Sequence, residues 1–210
     1  MDQRCVILAA GPVADAAALL PWLYGGDTFV AADGGMRLAA RLNVPLSAVI
    51  ADFDSAARAD TPAGVPVVIL PAEKDQTDTE AAVQWGLDAG FTDFLLLGAT
   101  GGRLDHTLGN IGLLYTLTRK RCRAALADEH GVIRMLLPGE HLIDRIEGHH
   151  LSLLSYGGDV TGIVLGGVKY PLRAETLPLG SVRGVSNEFM APQASLHFET
   201  GALLIAVVKD

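Results

Sequence analysis

Asp93-Phe94-Leu95-Leu96-Leu97-Gly98-Ala99-Thr100-Gly101-Gly102-Arg103-Leu104-Asp105-His106 decides the fold, because it passes from a strand through a glycine turn into a helix start. Its apolar run has no polar face, so both sides need cover, as in a strand of a parallel sheet. A helix over Asp105–Lys120 follows, and Leu104, Leu108, Ile111 and Tyr115 recur at helical spacing as its expected buried stripe. The same alternation runs back to the N-terminus. Arg4–Ala10, Thr28–Ala32, Ala48–Ala51 and Val65–Leu70 read as buried strands. Asp15–Leu23, Gly35–Leu42 and Asp78–Ala89 read as helices between them. Such alternation predicts an α/β domain: a doubly wound, mostly parallel sheet with helices on both faces.

Beyond about Pro138 the texture changes. Leu151–Tyr156, Val160–Leu165, Val168–Leu172, Ser195–Glu199 and Leu203–Lys209 are short strand candidates, punctuated by Gly157-Gly158, Gly166-Gly167 and Thr200-Gly201. Turn residues at that spacing predict antiparallel pairing, and no helical pattern remains. The expected boundary falls between Pro138 and Gly148, giving domains over residues 1–140 and 141–210.

Composition narrows the function classes. The 210 residues are 50% hydrophobic and 19% charged, which argues for packed cores rather than disorder. The formal net charge of −8 disfavours a nucleic-acid partner, since a polyanion is repelled on average. The N-terminus lacks a basic start followed by a long apolar stretch, and no run approaches membrane-spanning length, so a cytoplasmic protein without a membrane partner is expected. Cys5 and Cys122 lie inside apolar runs and read as buried free thiols. His149-His150 reads as polar surface, and Trp22 and Trp85 as core or interface residues.

Two acidic groups carry chemistry. Asp52 and Asp54 follow the strand ending at Ala51, and residues two apart in an extended chain point the same way. A divalent hard cation would relieve the repulsion between them. Taken alone, the pair reads more simply as a solvated loop with an Asx-turn. The second group, Lys74-Asp75-Gln76-Thr77-Asp78-Thr79-Glu80, precedes a helix, and Thr77 with Glu80 has capping-box spacing. Capping accounts for Thr77 and Glu80 but not for Asp75 and Asp78. Four carboxylates at neighbouring strand ends, Asp52, Asp54, Asp75 and Asp78, suit Mg²⁺, which takes oxygen ligands and keeps several waters.

The glycine loop suits phosphate. Gly98, Gly101 and Gly102 let the backbone approach an anion at a helix N-terminus, and Arg103 adds a forked donor. The loop fits neither G-x-x-x-x-G-K-[ST] nor G-x-G-x-x-G, so a P-loop NTPase and a dinucleotide-binding dehydrogenase are not supported. Ala31-Ala32-Asp33-Gly34-Gly35 ends a strand and either contacts a ligand or turns.

Asp33-Gly34-Gly35, Asp52-Phe53-Asp54-Ser55, Asp75-Gln76-Thr77-Asp78, Gly101-Gly102-Arg103-Leu104-Asp105-His106 and Ser186-Asn187-Glu188-Phe189 occur in that order. Together they resemble the thiamine pyrophosphokinases over essentially the whole chain. One departure is Ala51, where the family usually has glycine. The resemblance implies an α/β catalytic domain, a C-terminal β-sandwich and a homodimer whose active site is shared between chains. It implies ATP and thiamine as substrates, thiamine diphosphate and AMP as products. By the same resemblance Asp52, Asp54, Asp75 and Asp78 hold Mg²⁺. Asp75, Gln76, Thr100, Gly101, Gly102, Arg103, Asp105 and His106 bind ATP, and Asp33, Ser186, Asn187 and Phe189 bind thiamine.

In the reaction implied, the thiamine hydroxyl attacks the β-phosphorus of ATP and AMP leaves. Transfer of this kind asks mainly for alignment and charge neutralisation, with Asp54, Asp78 and Arg103 as the catalytic set. Asp78 is a carboxylate suited to accept the hydroxyl proton. Two alternatives stand beside this reading: the same transfer to a hydroxymethyl-pterin, and a non-catalytic nucleotide-binding regulator.

Overall fold

The computed structural model describes residues 3–52, 61–71 and 75–209. The chain divides into two compact units, Met1–Glu129 and His130–Asp210.

In the first unit six strands pair in parallel: β1 (Cys5–Leu8), β2 (Thr28–Ala32), β3 (Leu46–Ala51), β4 (Val67–Ile69), β5 (Asp93–Leu97) and β6 (Arg123–Asp128). Their order is β4-β3-β2-β1-β5-β6. All four residues of β1 are buried, as are the last four of β2, β3 and β5. Since alternate residues face opposite sides, the centre of the sheet is covered on both faces. The covering helices are α1 (Gly35–Leu42), α2 (Asp78–Asp88) and α3 (Leu104–Arg119). The chain steps outward from β1 to β4, then returns to place β5 and β6 on the other side of β1. The reversal between β1 and β5 is the topological switch point, where open parallel sheets leave a crevice at the carboxyl ends of their strands.

Local chemistry explains the helix ends. Thr77 caps α2 by accepting from the Glu80 N–H at 3.1 Å, as its capping-box spacing predicts. Asn43 closes α1 in the left-handed conformation that a short polar side chain tolerates. Ala16–Trp22 forms a 3₁₀ helix rather than an α-helix, with Pro21 inside it and Asp15 accepting from Ala17 at its start. Arg4 anchors the loop that follows. It pairs with Asp27 at 2.7 Å, donates to the Trp22 carbonyl and lies 4.3 Å from the Tyr24 ring centroid.

α3 departs from its expected face. Leu104 and Leu108 are 71% and 59% exposed, while the buried residues are Asn110, Leu114 and Leu117. Two stripes run along this helix at the same spacing, and the packed one is the other.

The second unit is antiparallel: β7 (Gly131–Leu136), β8 (Gly139–Asp144), β9 (His150–Gly166), β10 (Leu172–Leu177), β11 (Gln193–Phe198) and β12 (Thr200–Val208). Strand β12 lies between β7 and β9, while β11 lies between β8 and β9. β10 pairs with the end of β9. The sequence reading splits 151–165 at Gly157-Gly158, but β9 runs through both glycines. Its first part serves β12 and its last part β10 and β11, so one long strand belongs to both layers of a sandwich. Strands β7 and β8 carry Arg134, Glu140 and His141 among their apolar residues, and neither was expected. Val168–Leu172 is not a strand; the pairing segment starts at Leu172. Leu151, Leu153, Val160, Ile163, Leu196, Phe198 and Leu203 fill the core.

Candidate active site

A pocket of about 400 Å³ opens at the switch point of the first unit. The segments after β1, β2 and β5 line it, together with the N-termini of α2 and α3.

Strand β1 runs on into Ala9-Ala10-Gly11-Pro12. Ala9 donates to the Leu97 carbonyl at 2.8 Å and Gly11 to the Gly98 carbonyl at 2.7 Å. A Cβ at Gly11 would collide with the Gly98 and Thr100 carbonyl oxygens, so the two loops interlock through bare backbone. Arg41 of α1 braces the same loop from outside, donating to the Val13 and Ala14 carbonyls at 2.7 and 3.0 Å.

Asp33 follows β2 with φ of 42°, its N–H bonded to the Ile50 carbonyl at 2.8 Å and the residue only 3% exposed. Asp78 opens α2, where the helix dipole favours a carboxylate. Both line the pocket.

The loop after β5 turns at Gly98, whose φ of 62° suits glycine. Asn110 donates to the Ala99 carbonyl at 2.8 Å, and the Thr100 hydroxyl donates to Asp128 at 2.8 Å. The N–H groups of Thr100, Gly101, Gly102 and Arg103 have no hydrogen-bond acceptor among the described residues. A run of open N–H groups at a helix N-terminus is an anion receptor. Arg103 stands at its end as the N-cap of α3. Its guanidinium forks onto Asp105, Nε to Oδ1 at 3.1 Å and Nη2 to Oδ2 at 2.6 Å, with both side chains exposed. The shared hydrogen bonds hold the Asp105 carboxyl below its ordinary range and push the Arg103 guanidinium up.

Of the nominated residues, the pocket therefore gathers Asp33, Asp78, Thr100, Gly102, Arg103 and His106. Asp75 and Gln76 are exposed outside its lining, Asp52 is half-buried at the end of β3, and Gly101 in the loop and Asp105 in the first turn of α3 also fall outside the lining. Asp54 lies outside the described residues. Among the described residues no three His, Cys, Asp or Glu side chains converge on a metal position. The donor chemistry still fits Mg²⁺, which is commonly held by one or two carboxylates together with substrate phosphates. Sequence reading missed Gly11, Pro12, Asn110 and Asp128. The first two had a signal in Ala-Ala-Gly-Pro directly after the first strand, and the last two had none.

The remaining nominees lie in the second unit. Ser186 is exposed with φ of 60°, and its N–H donates to the Ser152 hydroxyl at 3.0 Å. Asn187 is buried, and its carboxamide is spent internally. Oδ1 accepts from the Tyr170 and Glu188 N–H groups at 3.0 and 2.9 Å, while Nδ2 donates to the Tyr170 carbonyl at 2.8 Å. Its backbone also exchanges two hydrogen bonds with Leu151. Phe189 is buried and bridges to Val168. Beside them lies a pocket of about 410 Å³, with Lys169, Tyr170, Arg183 and Asn187 around an apolar floor of Leu153, Leu165 and Leu172.

An α/β unit with a pocket at its switch point and an antiparallel unit with its own pocket have the make-up of a two-part group-transfer enzyme. Residues 23–126 match the thiamin pyrophosphokinase catalytic domain, and residues 140–205 match the thiamin pyrophosphokinase vitamin B1 binding domain. Thiamine pyrophosphokinase of Bacillus subtilis is 34% identical over 172 residues, 80% of each chain. The crystal structure of that organism's thiamine pyrophosphokinase superposes with a TM-score of 0.89 and 27% identity, covering 100% of both chains. That of thiamin pyrophosphokinase from Geobacillus thermodenitrificans gives 0.85 and 27%, covering 99% of this chain and 98% of the other. The chain belongs to the thiamine pyrophosphokinases, transferases that move the pyrophosphoryl group of ATP onto thiamine. Neither the pterin kinase nor the non-catalytic regulator is favoured.

Proposed function

We propose that the first-unit pocket takes ATP and that the Ser186–Phe189 segment takes thiamine. The observation that carries the first assignment is the row of open N–H groups from Thr100 to Arg103 on the pocket that Asp33 and Asp78 also line. The N–H row and Arg103 receive the polyphosphate. Asp52, Asp54, Asp75 and Asp78 are the carboxylates that would hold Mg²⁺, and the ion would supply charge neutralisation on the phosphates. Asp78 accepts the proton of the thiamine hydroxyl as it attacks the β-phosphorus, and AMP departs. In the second unit exposed Ser186 meets the thiamine, while Asn187 and Phe189 hold the segment that presents it.

The enzyme works as a homodimer in the cytoplasm, each site taking its ATP-binding part from one chain and its thiamine-binding part from the partner. Large exposed apolar side chains occur in both units, Leu104 and Leu108 in the first and Val182 and Met190 in the second, and such groups favour burial in an interface. Buried thiols at Cys5 and Cys122, with no disulfide between them, suit a reducing compartment. Among the described residues no helix is long and apolar enough to cross a membrane.

Mixing tests the shared site. Asp54→Asn and Ser186→Tyr chains are each nearly inactive, and after subunit exchange activity returns to roughly a quarter of wild type. Random exchange makes about half the dimers mixed, each with one intact site of two. Activity that stays at the level of the separate variants overturns the shared site.

A further inference from the structure

Three consecutive residues of the glycine loop are tied down from three different elements. The Gly98 carbonyl accepts from Gly11 after β1, the Ala99 carbonyl from Asn110 on α3, and the Thr100 hydroxyl donates to Asp128 at the end of β6. The row of open N–H groups begins directly after these anchors. Asn110 is the singular member of the set. It is the one buried polar side chain of α3, 6% exposed, in a helix whose other buried residues are Leu114 and Leu117. Leucine in its place would satisfy packing alone. A carboxamide there has a different consequence. A carbonyl oxygen turned into a phosphate site repels the ligand, whereas Asn110 draws the Ala99 oxygen to itself. Across a planar trans peptide the Thr100 N–H then points the opposite way.

We propose that Asn110 is a positioning residue for ATP. It fixes the Ala99–Thr100 peptide so that the N–H row from Thr100 onward is already oriented when the polyphosphate arrives. Asn110 lines the pocket at the inner end of the loop, and Arg103 stands at the outer end. Asn110 thus holds the backbone donors while Arg103 supplies the side-chain donor. The gain is preorganisation: a loop ordered before binding loses less freedom on binding. The inference rests on the assignment of this pocket to ATP.

Initial rates with Mg-ATP and thiamine test it on the full-length chain. Asn110→Ala should raise KM for ATP about ten-fold, the scale of one net hydrogen bond, and leave KM for thiamine within about two-fold. Backbone 15N relaxation across residues 99–103 should report a looser loop in the same variant without ligand. Asn110→Asp, equal in size but without the N–H donor, should reproduce both changes and serves if the alanine variant does not fold. A fall in melting temperature with both KM values unchanged in the folded fraction overturns the proposal, because Asn110 then only fills the core. Failure of both variants to fold overturns it too. Arg103→Ala separates this inference from the pocket assignment. If Arg103→Ala raises KM for ATP and the Asn110 variants do not, only the positioning role fails. If none of them changes it, the ATP assignment fails.

Discussion

The loop after β5 and the segment around Asn187 both carry motif blocks of the family, yet they use their side chains in opposite ways. In the loop, Asn110, Asp128 and the Gly11 backbone do the tethering from outside the motif, and the backbone N–H donors of the motif stay open. Around Asn187 the motif residue does the tethering itself, with three side-chain hydrogen bonds that pin Tyr170 and Glu188. Membership of a motif therefore does not assign a role. A residue with its polar atoms spent inside the protein shapes a site, and one with them open touches the ligand.

The comparison is easiest to break at Asp78, which lines the first-unit pocket and is assigned to the ligand. Asp78→Asn should lower kcat about a hundred-fold or more with little change in melting temperature, because the lost carboxylate serves Mg²⁺ and the thiamine hydroxyl proton and not packing. EDTA should abolish wild-type turnover, and excess Mg²⁺ should restore it. Near-normal turnover of Asp78→Asn in magnesium would remove this residue from the chemistry. A large loss of stability would move it to the scaffold side.

Asn187 tests the other side. Asn187→Ala removes three hydrogen bonds and leaves Tyr170 and Glu188 groups unpaired, a loss of about 1–3 kcal/mol of stability. Urea unfolding should show a lower midpoint with an unchanged slope. A variant of full stability that loses only thiamine affinity would make Asn187 a contact residue and erase the contrast.

How much of this was legible in the sequence follows the same division. The strands β1, β2, β3 and β5 were readable because their burial on both faces demands unbroken apolar runs. Thr77 was readable as a cap because its spacing to Glu80 is a local property. Strand β6, Arg-Ala-Ala-Leu-Ala-Asp, was not, since alanine and flanking charges give no strand signal outside their tertiary setting. The α3 stripe was misread because periodicity yields a face without saying which face packs. Leu104 and Leu108 repeat at the same interval as the buried set. The contrast at Asn187 was illegible for a further reason. Its partners, Tyr170 and Leu151, are distant in sequence and meet it only in the folded sandwich.

Arg103 and Asp105 mark the faintest edge of the comparison, because each already holds the other while both face solvent. Asp105 has its pKa lowered chiefly by the hydrogen bond from Arg103, and Arg103 has its pKa raised chiefly by the same bond. A depressed carboxylate gives its contribution at any pH above its unfolded value, and loses it only as the pH falls through the lower folded value. The guanidinium stays charged far above neutrality. Neither group changes charge between pH 6 and 9, so the pair is equally intact across that range. Exposed pairs are weak, so Asp105→Asn should alter KM for ATP by less than about five-fold. The factor should be the same at pH 6, 7, 8 and 9. A factor that grows or shrinks across those points would show that a titrating group near the loop depends on Asp105. In that case the carboxylate acts on the ligand site directly, beyond steadying its neighbouring arginine.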